Sequence, residues 1–411
     1  MVAILDAIKD AIKDVVLEAQ LALRLIAGGR TSRRRQGQGL HVLMVDDLVP
    51  DPLFGAGYPR AYAITRSLVD AGHHVDFYPM QASRADLARM NKAFAGSVCF
   101  HLGERGRGLR RLLRRDGDRF DLLFVSRTTP MQALLQARWR PTGGVTRVIY
   151  DAEAVLTPRE ARRRVLFGTA WSEADYRAAL AAELGLAADV QAVTAVAQGD
   201  AEVIASAIDV PVFVLPHPVS VHPARSGFVE RQDLLFVGRL TGERSESPNV
   251  DSILWFAAEV MPELDRLIGT QYRLHIVGRV EAPAITALVS NRIVLHGVVE
   301  DLHPIYDRCR LFVAPTRYAA GIPLKVVEAM GEGIPCVVTP LLAEQLAARD
   351  GALAIGDGAG DFASQCARLY RDAETWLAVR DAGAAHVRRF CSPAAFDLAL
   401  GDVLAHIMES S

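Results

Sequence analysis

The chain has 411 residues, 50% of them hydrophobic, with a formal net charge of −2 and five cysteines. That length accommodates two domains, each with its own core, and the near-neutral charge argues against nucleic acid as a partner. The apolar residues fall in short runs that do not read as membrane spans. Cys99, Cys309, Cys336, Cys366 and Cys391 are scattered and odd in number, as reduced core thiols of a cytoplasmic protein would be.

Residues Val2 to Ile26 read as an amphipathic helix, with Leu5, Ile8, Ile12, Val15, Ala19, Leu23 and Ile26 on one face. Charges interrupt its apolar run, so it is not a signal-peptide core. Gly28 and Gly29 end it, and the basic linker RTSRRRQGQG follows. Residues 1–40 therefore form an appendage that suits an anionic membrane surface, the body of the protein or a second copy of the chain. The first domain is expected over 41–210. HVLMVDD is a buried strand, PDPLFGAGYPR a glycine loop, AYAITRSLVDAG a helix and HVDFYP the next strand. In that βαβ unit Gly55 and Gly57 stand where the backbone turns tightly or meets a ligand. The loop lacks the spaced three-glycine fingerprint of a dinucleotide site. Arg60, at the helix start, suits an anionic substrate or open solvent.

Further on, Arg107, Arg110, Arg111, Arg114 and Arg115 recur at helical spacing, a solvated face or an attractor for lipid phosphates. DLLFVSR, RVIYDAE and DVQAVTAV are the next strands. Asp151 and Glu153 fall at a strand's C-terminal end, where α/β proteins build their sites, and either carboxylate suits an acceptor hydroxyl. Helix capping is the duller role for Asp151. A proline-rich connector covers 211–230, a second βα series 231–390, and a last helix, 391–411, is expected to return to the first domain. In the second series DLLFVGRL ends in Gly238 and Arg239, and a helix with Asn249 near its start follows. The stretch LFVAPTRYAAGIPLKVVEAMGEGIPCVVTP, Leu311 to Pro340, is strand, glycine loop, helix and strand. Its loop N–H groups and helix start favour an anion. Lys325 can reach a phosphate and Glu328 can accept two ribose hydroxyls, although both residues also suit a solvated helix face.

The order VGRL, PN-x-D, IVG, HGVVED and P-x-R-x-x-x-G-I-x-x-K-V-x-EAM resembles family four glycosyltransferases, the bacterial glycosyl transferases group 1. VDD-x-x-P-x-x-x-x-GAGYPRAYA and YDAEAV resemble a bacterial branch of the same family, and the likeness spans roughly 41–400. The resemblance implies an α/β GT-B fold, two Rossmann-like domains facing across a cleft, with a nucleotide-sugar donor on the second and a glycan or lipid-linked acceptor on the first. It places Gly238, Arg239, Arg317, Gly321, Ile322 and Lys325 at the donor, with Arg239 and Lys325 on the diphosphate. Glu300, Asp301 and Leu302 would flank the base, Glu328 the ribose, and Gly55, Gly57, Arg60, Asp151 and Glu153 the acceptor side. Arg239, Lys325 and Glu153 are the residues expected to carry catalysis.

Three departures stand out. The family's first glutamate, which contacts the transferred sugar, is replaced by Ala320; its second is Glu328. Only Arg244 stands near the place of a second basic residue, and the family's histidine has no plain match near Asp151 to Glu153. No Asp-x-Asp stands at a suitable strand end, and Asp46 and Asp47 are adjacent rather than spaced. Transfer without metal or cofactor, retaining by family likeness and serving envelope or exopolysaccharide synthesis, is therefore expected. The rivals are a nucleotide-sugar 2-epimerase and a non-catalytic GT-B glycan-binding or scaffold module.

Overall fold

The computed structural model describes residues 39–54, 57–141, 146–222, 225–348 and 351–409. The N-terminal amphipathic segment, most of its basic linker and Gly55 lie outside these residues. Seven strands build the first sheet: β1 (His41–Asp46), β2 (His74–Pro79), β3 (Val98–Phe100), β4 (Leu122–Ser126), β5 (Arg147–Glu153), β6 (Ala192–Ala195) and β7 (Val212–Val214). Their spatial order is β3-β2-β1-β4-β5-β6-β7, and every pairing is parallel. Six strands build the second: β8 (Gln232–Val237), β9 (Leu274–Val277), β10 (Ile293–Gly297), β11 (Cys309–Ala314), β12 (Cys336–Val338) and β13 (Ala354–Ile355). Their order is β10-β9-β8-β11-β12-β13, again wholly parallel.

The near-continuous apolar runs follow from this topology, because helices cover both faces of each sheet. Leu43, Val45, Leu123 and Val125 join one core. Their alternating neighbours Val42, Met44, Leu122 and Phe124 join the core on the opposite face. The second sheet divides likewise, with Leu234 and Phe236 on one side and Leu235 on the other. Each such fully buried side chain stabilises the fold by about 1.5–3 kcal/mol, and truncating Phe124 would cost roughly 3–5 kcal/mol.

The connector is strapped to the second domain, with Val219 N–H donating to Cys391 O (2.6 Å) and His222 N–H to Gly331 O (2.8 Å). Helices Ala373–Phe390 and Pro393–Glu409, taken as one stretch, are long and apolar enough to cross a membrane by composition. The first packs Trp376 and Val379 into the second domain. The other crosses back and buries Phe396, Leu400, Val403 and Ile407 in a core of the first domain, beside β7. Their apolar residues are thus used in tying the domains together. None of the five cysteines forms a disulfide among the described residues, and four of them are buried.

In each sheet the chain builds outward in one direction and then restarts beside its first strand. That reversal places a crevice at the C-terminal ends of β1 and β4, and another at β8 and β11. Such crevices are where open α/β sheets bind ligands.

Candidate functional site

In the second domain, β8 ends at Gly238, whose N–H donates to Val277 O at 2.9 Å. Arg239 follows, exposed. Its carbonyl accepts from Asn249 Nδ2 at 2.9 Å, and Asn249 Oδ1 accepts from Lys325 Nζ at 2.5 Å. Asn249 thus joins the end of β8 to helix Leu324–Gly331. Ser247, rather than Asn249, caps its own helix by accepting from Val250 N–H. Lys325 Nζ also lies 4.3 Å from the centre of the Phe236 ring. No carboxylate pairs with it among the described residues, and desolvation pushes its pKa down to about 7. Glu328, one turn on, is shifted the opposite way, up to about 7, by burial first and by Glu332 second. Two half-buried, dehydrated groups of opposite type do not behave as a solvated helix face. Their charged forms are disfavoured until a ligand supplies partners.

The other expected donor residues are placed unevenly. Glu300 and Asp301 are exposed after β10. Asp301 Oδ1 accepts from His303 N–H at 3.0 Å, and Leu302 leans on the core. Arg317 is not a free cation. Buried Asp251 binds it through Nε at 2.9 Å and through Nη2, and also pairs with Arg244 at 2.9 Å. Both basic residues are therefore shared by one carboxylate, so Arg317, expected at the donor, is already paired in this structure. Gly321 adopts φ +72°, and a Cβ there would lie 3.1 Å from Ala154 Cβ and 3.3 Å from Val196 Cγ2. The donor loop, with Ile322, thus rests on the first domain beside the end of β5. Asp200 approaches the same junction, where it meets the N–H groups of Val155 and Gly321. Burial pushes its carboxyl up to about 6, against those bonds.

Across the junction, Arg127 at the end of β4 donates from Nη1 to Asp46 Oδ1 (2.9 Å). It holds Glu153 through Nε–Oε2 (3.0 Å) and Nη2–Oε1 (3.2 Å). Its guanidinium lies 4.1 Å from the centre of the Tyr58 ring. Asp46 is wholly buried with Oδ2 unbonded, and burial drives its carboxyl well above the ordinary range, against the pull of Arg127. Arg127 (φ +74°) and Glu153 (φ +56°) both occupy the left-handed region, a strain that clusters at functional sites. Gly57 lets Glu153 in: a Cβ there would meet Oε1 at 2.1 Å. Arg127 and Asp46 had no assigned role in the sequence reading. Their signal was position alone, at the ends of the two strands that flank the crevice.

Arg60 and Asp151 require correction as acceptor contacts. They form a pair at 2.6 and 2.9 Å, with both side chains only 1% exposed. Arg60 Nε also donates to Leu215 O, and Asp151 accepts from Thr194 Oγ1. This pair locks the first helix to β5, β6 and the end of β7 and leaves neither group open to a substrate. Glu153 remains half-buried at the crevice.

Residues 231–372 match the family model described as glycosyl transferases group 1. No curated protein matches the chain. Among solved structures, sucrose-phosphate synthase from Thermosynechococcus elongatus aligns at TM-score 0.63 and 14% identity, over 90% of this chain and 100% of the other. HepE of Anabaena, in complex with UDP and glucose, aligns at 0.63 and 15%, over 89% and 99%. The lipopolysaccharide outer core galactosyltransferase WaaB aligns at 0.62 and 13%, over 90% and 100%. Residues 231–372 thus resemble a group 1 glycosyltransferase domain, and the fold of the whole is GT-B.

Proposed function

We propose that this glycosyltransferase moves a sugar from a nucleotide-sugar, held at Arg239, Lys325 and Glu328, to a glycan or lipid-linked acceptor at the first domain's crevice. The observation that carries this reading is the dehydrated pair, Lys325 without a counter-ion and Glu328 one turn away, at the C-terminal mouth of β8 and β11. A diphosphate restores the lysine's charge, and ribose hydroxyls donate to the carboxylate. As the bond to the sugar breaks, negative charge grows on the departing diphosphate, where Arg239 and Lys325 would stabilise it. Removal of one such donor typically costs ~10²–10³ in kcat. Glu153, fixed by Arg127, would orient the acceptor hydroxyl. The group 1 match and the solved neighbours support this reading, and HepE, solved in complex with UDP and glucose, makes UDP-sugars the first donors to try.

Metal-independent, retaining transfer in envelope or polysaccharide synthesis belongs to the same proposal, and the WaaB likeness supports the envelope context. So does contact with the inner face of the plasma membrane through residues 1–35 and Arg107–Arg115, or pairing of two copies through the N-terminal segment. The helix Arg105–Asp116 buries Leu109, Leu112 and Leu113 and leaves its arginines exposed, a suitable surface for lipid phosphates. Nucleotide release from UDP-, GDP-, ADP- and dTDP-sugars, with and without glycan acceptors, tests the function. Release or transfer supports it, isomerised donor indicates the 2-epimerase, and silence indicates a binding module.

A further inference from the structure

Outside the proposed donor and acceptor contacts, three residues distant in sequence converge behind the nucleotide end of the second domain. His222 lies in the connector, His303 opens helix His303–Arg308, and Glu332 follows helix Leu324–Gly331. His222 Nδ1 is 2.7 Å from Glu332 Oε1, and His303 Nδ1 is 2.6 Å from Oε2. The imidazoles meet edge to face, with centroids 4.8 Å apart. One ligand atom from each of the three residues falls within 4.8 Å of the others. The carboxylate is 14% exposed, whereas the imidazoles are 49% and 55% exposed, so an ion has a way in.

Backbone bonds fix each residue. His222 N–H donates to Gly331 O (2.8 Å) and Glu332 N–H to Glu328 O (2.9 Å), and His303 N–H donates to Asp301 Oδ1. Among the described residues no lysine or arginine makes an ion pair with Glu332. The other cluster of this kind, Asp76, Cys99 and His101, differs in that respect: Arg119 already supplies the cation to Asp76.

We propose that His222, His303 and Glu332 bind a divalent transition-metal ion, Zn²⁺ foremost. Two imidazole nitrogens and one carboxylate oxygen form a zinc donor set with a fourth position left for water. Mg²⁺ and Ca²⁺ prefer oxygen shells and are poorly served here. At metal–ligand bonds of about 2.0–2.1 Å the donor atoms of a tetrahedral site stand about 3.3 Å apart. The ligating nitrogens must therefore be deprotonated, and the side chains must part from their present hydrogen-bonded contacts for the ion to enter. The ion would staple the connector to the loop at Glu300–Leu302 and to the helix that carries Lys325 and Glu328. It lies apart from the reacting diphosphate, so the transfer proposed above needs no metal for its chemistry.

Untagged full-length protein, stripped with chelator and dialysed, is titrated with Zn²⁺ at pH 7.5 against a chromophoric competitor. The same titration is run on His222→Ala, His303→Ala, Glu332→Gln and Cys99→Ser. One equivalent of Zn²⁺ is expected for the wild type and for Cys99→Ser, with at least a tenfold loss of affinity in the other three variants. Mg²⁺ and Ca²⁺ should not compete. The two histidines are about half exposed, so their apo variants should melt near the wild type, and apo melting temperatures of all four variants serve as the folding check. Undiminished zinc affinity in both folded histidine variants, absence of zinc binding by the wild type, or loss confined to Cys99→Ser would each overturn the assignment.

Discussion

The two crevices sit at equivalent points of two sheets of like topology, yet they treat charge in opposite ways. At β1 and β4, Arg127 is clasped by Asp46 and Glu153. That cluster is neutralised from within and held by strained backbone. At β8 and β11, Lys325 and Glu328 are dehydrated and have no partner of opposite charge among the described residues. The first crevice is internally satisfied; the second is not, which suits the orienting and binding roles proposed for them. In GT-B terms that is the division expected between acceptor and donor halves.

The largest effect should come from emptying the incomplete crevice of its cations. The double variant Arg239→Ala/Lys325→Ala is expected to lose at least about 100-fold in nucleotide-diphosphate affinity, at about 1.5–3 kcal/mol per charged hydrogen bond. Neither residue makes an ion pair among the described residues, so melting temperature should fall only modestly, from the lost Lys325–Asn249 hydrogen bond; unchanged nucleotide affinity would sink the donor assignment. The finished crevice should respond the other way. Arg127→Ala leaves Asp46 and Glu153 without their cation and should cost roughly 3–5 kcal/mol in chemical denaturation, with nucleotide affinity intact in the protein that remains folded. A wild-type unfolding midpoint would show that the cluster is not the structural unit described.

Smaller changes sharpen the contrast at the junction. Ala320→Glu restores the carboxylate expected near the transferred sugar. It should shift the ranking of donor sugars by about tenfold in kcat/KM, while affinity for the free nucleotide stays the same. Asp200→Asn should have the least effect, and a pH-dependent one. The folded carboxyl titrates at about 6, above its usual 3.8. Stability therefore falls as pH rises through that window, and the variant's advantage should grow from pH 4 to 6 and then level off near roughly 3 kcal/mol. Equal stability differences at pH 4 and pH 8 would contradict the buried setting of Asp200.

Much of this architecture was legible in the residues. Unbroken apolar runs such as LLFV announce strands covered on both faces, and VGR, the PN helix and the Gly321–Glu328 stretch mark the second crevice. The partnerships were not legible, because they depend on strand order. Arg127 meets Asp46 only because β4 inserts next to β1, and Arg60 reaches Asp151 across 91 positions. Both residues of that buried pair looked like substrate contacts when viewed one at a time. Arg317 misled in the same way, since nothing in its own loop reveals that Asp251 lies beneath it. Asn249 reads as part of a helix cap until the end of β8 is set beside helix Leu324–Gly331.

The central claim, that Lys325 and Glu328 wait for a nucleotide's charge and hydroxyls, predicts a proton signature. Diphosphate binding raises the lysine pKa from about 7, so binding above pH 7 takes up a proton and affinity falls as pH rises. Ribose binding lowers the Glu328 pKa from about 7, so affinity also falls as pH drops below 7. Calorimetry of the tightest-binding nucleoside diphosphate, run at pH 8 in buffers of different ionisation enthalpy, measures this directly. Net uptake of about 0.8 proton per nucleotide is expected in the wild type, about 0.9 gained at Lys325 less about 0.1 released at Glu328, with no uptake in Lys325→Met at whatever affinity remains. Zero uptake by the wild type, with affinity flat from pH 6 to 9, would contradict the account.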